Sequence, residues 1–70
     1  SFIYPNPTKD VLYVNSQLTK PTNCLIYHID GRLVMSVILD TNTQSFNVSS
    51  LSNGFYLLKI DNQVYKFRKL

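Results

Sequence analysis

Residues that turn a chain recur at nearly even intervals along this one: Pro5-Asn6-Pro7, Pro21-Thr22-Asn23, Asp30-Gly31, Asp40-Thr41-Asn42, Asn53-Gly54 and Asp61-Asn62. Short apolar runs fill the spaces between them. That rhythm is the mark of a sandwich or barrel built from short strands. Composition points the same way. Alanine and glutamate, two of the strongest helix formers, are absent. The β-branched and aromatic residues that dominate instead suit a pleated surface. The expected fold is all-β, with six or seven short antiparallel strands, no helix and no linker.

The runs can be given faces. The opening Tyr4-Pro5-Asn6-Pro7 cannot be helical, because each proline fixes its own φ and pushes the residue before it towards extended geometry. In the strand that follows, Leu12 and Val14 should face the core and Tyr13 the solvent. Residues 17–23 read as a loop with Leu18 as a single edge residue. Asp30-Gly31 marks a hairpin, since a primed turn needs positive φ at its centre. Ahead of it Cys24 and Ile26 point inward, while Ile29 breaks the alternation and signals a bulge or the start of the turn. Beyond it Leu33, Met35, Val37 and Leu39 form the better inward set, in competition with Val34 and Ile38. Phe46 and Val48 then face in, and Leu51 plugs a corner. Asn53-Gly54 allows a tight turn into a strand with Tyr56, Leu58 and Ile60 on one face and Phe55, Leu57 and Lys59 on the other. Asp61-Asn62 makes a second hairpin, after which Tyr65 and Phe67 face in and Val64, Lys66 and Arg68 face out. Leu51, Gly54, Tyr56 and Leu58 also resemble the tyrosine corner of immunoglobulin-like sandwiches, although a plain buried tyrosine explains them equally well.

With 70 residues the chain is one small domain, and such a domain buries only about 60% of its unfolded surface. Catalysis finds little to work with. Asp10, Asp30, Asp40 and Asp61 all stand beside turn residues, where aspartate bonds its own backbone. One histidine, His28, one cysteine and four scattered aspartates match no metal-ligand spacing. Neither Ser36 nor Cys24 makes a credible nucleophile set with His28. Cys24 has no partner for an internal disulfide and lies in an apolar run, as a small buried hydrophobe does. Asn47-Val48-Ser49 fits a glycosylation sequon, a pattern short enough to arise by chance. Tyr13 and Tyr27 face outward, as cross-strand pairing or a sugar-stacking platform would require. The net charge is +3, and Lys59, Lys66, Arg68 and Lys69 crowd the last stretch against Asp61 alone. A basic end of this kind can meet an acidic protein groove or an anionic glycolipid. Nucleic acid is not expected, in the absence of a Gly-rich loop, a basic helix or a recognisable binding motif.

Four stretches together resemble the C-terminal sorting domain of the type IX secretion system (type A), found in Gram-negative bacteria that export large surface proteins. The first is Tyr4-Pro5-Asn6-Pro7 with the strand Asp10 to Val14. The second is Ile26, Tyr27, Gly31, Arg32 and Val34, departing from the usual pattern only in the triplet His28-Ile29-Asp30. The third is Val48, Leu51, Gly54, Tyr56, Leu58, Lys59 and Ile60. The fourth is Lys66, Phe67, Arg68 and Lys69. They span nearly the whole chain in the family's order and spacing.

The resemblance implies a seven-stranded immunoglobulin-like sandwich and an address tag in place of a catalyst, with no cofactor. Residues 1–70 would then be one C-terminal sorting domain, a fragment whose upstream cargo has been cut away, with Leu70 as the natural end. Such a cargo crosses the inner membrane by a general signal peptide and is presented to the outer-membrane translocon and its shuttle components. A sortase-like cysteine protease commonly removes the tag, and the cargo reaches the cell surface or the medium. In this setting Tyr4, Pro5, Asn6, Pro7, Gly31, Gly54 and Tyr56 set backbone geometry. The last strand, with outward Lys66 and Arg68 beside Phe67, and with Lys59 and a free Lys69, is the expected contact, and as an edge it could accept an added strand. The rival is an immunoglobulin-like or fibronectin-like accessory module that stays attached to its enzyme and binds glycan or protein. A third possibility is a plain spacer.

Overall fold

The computed structural model describes residues 2–70. Seven strands follow one another: β1 (Phe2–Tyr4), β2 (Val11–Asn15), β3 (Thr22–His28), β4 (Leu33–Leu39), β5 (Ser45–Asn47), β6 (Gly54–Ile60) and β7 (Gln63–Lys69). They form a three-stranded sheet ordered β1-β2-β5 and a four-stranded sheet ordered β4-β3-β6-β7. All pairings between strands are antiparallel, and no helix is present among the described residues. The result is an all-β sandwich of short strands, as the turn spacing led us to expect, and it fits the immunoglobulin-like architecture that the resemblance implied.

Packing explains why these runs become strands. Leu12 and Val14 from the smaller sheet, with Val48 just past β5, meet Cys24, Ile26, Leu39, Tyr56, Leu58, Ile60 and Phe67 from the larger one in a single core. Each is the inward member of a period-two pattern. Tyr13, the strand neighbour of two fully buried residues, is half-exposed as expected. Tyr56 stacks on Phe67 with ring centroids 5.6 Å apart, and its hydroxyl donates to the Ser52 carbonyl at 2.7 Å. That bond back to the loop is the geometry of a tyrosine corner.

Three local expectations need correction. Leu18 is no edge residue: it lies outside every strand and is buried in the core, closing the gap that the loop between β2 and β3 crosses. Asp30-Gly31 is not a two-residue primed turn. Gly31 N–H donates to the His28 carbonyl and His28 N–H to the Arg32 carbonyl, so the loop is three residues long, with Gly31 (φ 97°) in the left-handed position that closes such a hairpin. Leu33 does not face inward. Ile26 pairs with Met35 but Tyr27 with Leu33, leaving Val34 as an extra residue. This bulge reverses the facing of everything nearer the turn. Val34 therefore packs on the core while Leu33 is 52% exposed.

Candidate recognition surface

The opening motif and the final strand, distant in sequence, are joined in space. Tyr4 ends β1 and stacks on Tyr13 across the ladder, with centroids 5.3 Å apart. The chain then passes through Pro5, Asn6 and Pro7, with cis peptide bonds before both prolines, and runs along the outer edge of β7. There the Asn6 side-chain amide donates to the Lys66 carbonyl at 3.1 Å and accepts from Arg68 N–H at 3.0 Å. Two residues on, Thr8 N–H donates to the Arg68 carbonyl and Leu70 N–H to the Thr8 carbonyl, each at 2.9 Å. A side-chain amide and one residue of main chain thus do the work of an added strand, ending in a parallel bridge between Thr8 and Lys69. Thr8 is itself buried, its hydroxyl donating to the Val11 carbonyl at 2.7 Å.

This seam revises two expectations about the end of the chain. β7 is an edge strand, as anticipated, but its second half is already covered by Asn6 and Thr8. Lys69 is not free. It shares the inward alternation of Tyr65 and Phe67, is only 6% exposed, and reaches out to give its Nζ to the Leu70 carbonyl at 2.7 Å, as long basic side chains do when their stems are buried. Sequence reasoning also passed over Thr8 and the partners of Asn6. Their bonds span some 60 residues, and no local pattern announces such a pair.

The remaining motif residues divide by face. Gly31 and Gly54 (φ 146°) serve the turns; a Cβ would meet nothing nearby at either, so backbone conformation and not space calls for glycine. Phe67 lies in the core. Lys59, Lys66 and Arg68 all project from the outer face of the four-stranded sheet. Lys66 Nζ stands 4.7 Å from the centroid of the Phe55 ring and the Arg68 guanidinium 6.0 Å from it, within cation–π range. Lys59 lies across from Val64 on one side and Leu25 on the other.

Turn duty occupies two of the four acids, Asp30 and Asp40. Asp30 Oδ1 accepts Arg32 N–H at 2.9 Å, and Asp40 Oδ1 accepts the N–H groups of Asn42 and Thr43. The bond from Arg32, with His28 and the Arg32 charge adding to it, holds the Asp30 carboxyl below its ordinary range. His28 Nδ1 accepts Asp30 N–H at 3.3 Å and lies 3.2 Å from Asp30 Oδ2. Among the described residues no three His, Cys, Asp or Glu side chains come together.

A family described as the secretion system C-terminal sorting domain matches residues 2–70, essentially the whole chain. The chain belongs to the type IX C-terminal sorting domains. No curated protein and no solved structure matches it. The sorting domain is thereby a signal for export across the outer membrane, working with the type IX machinery on a cargo fused upstream, and its family is not an enzymatic one. Within the sorting domain, the first and last motif blocks build one seam, the second shapes the β3–β4 hairpin, and the third makes the tyrosine corner that leads into β6.

Proposed function

We propose that residues 1–70 form a single C-terminal sorting domain that presents a fixed surface to the outer-membrane translocon and its shuttle components, whatever cargo precedes it. The cargo enters the periplasm by a general signal peptide. A sortase-like cysteine protease removes the tag and can transfer the cargo to anionic lipopolysaccharide. The observation that carries this reading is the family match over residues 2–70. It is supported by the seam, which brings together the motif blocks that open and close the domain. A tag on unrelated cargoes needs to fold by its own contacts, and a single core with both ends tied meets that need. Lys66 and Arg68 project from the surface as contact residues must, whereas Phe67 and Lys69 support them from inside.

The test is a fluorescent reporter carrying a general signal peptide and ending in residues 1–70. In a host with the translocon it should reach the surface or the medium, and lose about the mass of the tag if the protease acts. Periplasmic retention in that host, equal to retention in a host without the translocon, rejects the proposal in favour of an accessory module.

A further inference from the structure

The outer face of the four-stranded sheet is unlike the solvent side of an ordinary antiparallel sheet. Where one side faces water, strands read apolar-in and polar-out. Here Leu25 and Tyr27 on β3, and Phe55 and Leu57 on β6, lie next to one another at the centre of the outer side, paired Leu25 with Lys59 and Tyr27 with Leu57. The flanking strands extend the apolar area. Leu33 on β4 is 52% exposed and Ile38 64%, while Val64 on β7 is 58% exposed. No third layer covers this side: the sandwich has two sheets, and among the described residues no helix.

Charge on this face has one sign and one location. Lys59, Lys66 and Arg68 are its ionic residues, all on β6 and β7, and the aspartates stand elsewhere, beside turns. The face therefore runs from apolar at β4 to basic at β7. Phe55 holds Lys66 and Arg68 near its ring, so these exposed charges border the apolar centre.

We infer that this face docks an acidic protein surface with an apolar centre, a surface that belongs to the export machinery. The inference rests on the sorting function proposed above and gives that function its contact surface. Charge complementarity selects the occupant. A second copy of the chain would set these cations against cations or, turned about, against the apolar β4 side with no counter-charge, and either arrangement is costly in an interface. An anionic membrane binds best to an apolar keel with basic residues ranged along its polar flanks, whereas here the cations sit on one side only. An acidic protein surface fits both the sign and the asymmetry. Strand addition at β7 does not compete, because Asn6 and Thr8 hold its second half.

The test uses the reporter fusion ending in residues 1–70. One variant carries Lys59→Gln, Lys66→Gln and Arg68→Gln, a second carries Leu57→Ser with Ile38→Ser, and a control carries Asn15→Ser, an exposed position on the opposite sheet. Circular dichroism and the thermal midpoint of each isolated domain confirm that it is folded. Export of the two face variants should fall about tenfold or more, the effect of losing roughly 1.4 kcal/mol of docking energy, while the control is exported normally. Export of both folded face variants at the unaltered level overturns the inference and leaves the sorting reading standing. Retention of the unaltered fusion in the competent host rejects the sorting reading and this inference with it. Binding of the isolated domain to phosphatidylglycerol vesicles, lost in the charge variant, or dimerisation lost in the same variant, assigns the face to lipid or to a second copy and overturns the choice of a protein partner.

Discussion

At the scale of single residues, burial decides chemistry. Cys24 is fully buried between Val37 on β4 and Ile60 on β6. Loss of solvent pushes its thiol from an ordinary 9.0 up to about 12, since the interior disfavours the thiolate. The folded form therefore keeps its proton over a range in which the unfolded form loses it. Stability from this group is complete below the unfolded value and is lost as pH rises towards the folded one. Urea midpoints taken at pH 8 and pH 10 should show the wild type weakening by up to about 1.4 kcal/mol per pH unit above the unfolded thiol value, with Cys24→Val relieved of that share. Equal slopes for the two proteins would show that Cys24 does not titrate this way. Lys69 teaches the complementary lesson: charge did not keep it outside, because strand alternation set its direction and its length let the ammonium reach the Leu70 carbonyl.

Among the elements, the seam along β7 has the clearest signature. Asn6→Ala removes a donor to Lys66 and an acceptor for Arg68. The expected loss is about 1–2 kcal/mol for two partly exposed hydrogen bonds. Hydrogen exchange at the Arg68 amide should rise in the variant while the Leu58 amide, at the centre of β6, stays protected; unchanged Arg68 exchange would deny the seam any role. How far such elements can be read from sequence depends on the range of the forces that make them. Facing in β2, β6 and β7 was legible because alternation is local, and Tyr56 and Gly54 announced their corner within a few residues. In β4 the facing of Met35, Val37 and Leu39 was legible but that of Leu33 and Val34 was not, because a bulge created by pairing with β3 reversed it at Val34, where neighbouring apolar residues carry no phase. The Asn6 seam was hidden for the same reason at longer range. The outward set Lys59, Lys66 and Arg68 was legible, but its apolar surroundings became a continuous face only once β3 was placed beside β6.

For the molecule as a whole, the last residues are structural before they are anything else. Phe67 is core and Lys69 is buried, and removing a buried Phe side chain alone costs about 3–5 kcal/mol. A domain of this size has little beyond that to lose. Deleting Lys66 to Leu70 should accordingly unfold the protein, read as loss of the β-sheet signal in circular dichroism. A folded deletion product would show that the core closes without β7. Loss of export on such a truncation then reports collapse and not a missing contact, which is why the surface substitutions are the sharper probe.

Because the Asn6 side chain and the Thr8 main chain find their partners on residues 66–70, a chain lacking those residues has nothing to close the seam against. The opening turn must wait for residues 66–70. A polypeptide stopped before residue 66 would carry every earlier block of the address and still display an unfinished one, because the first block takes its shape from the fourth.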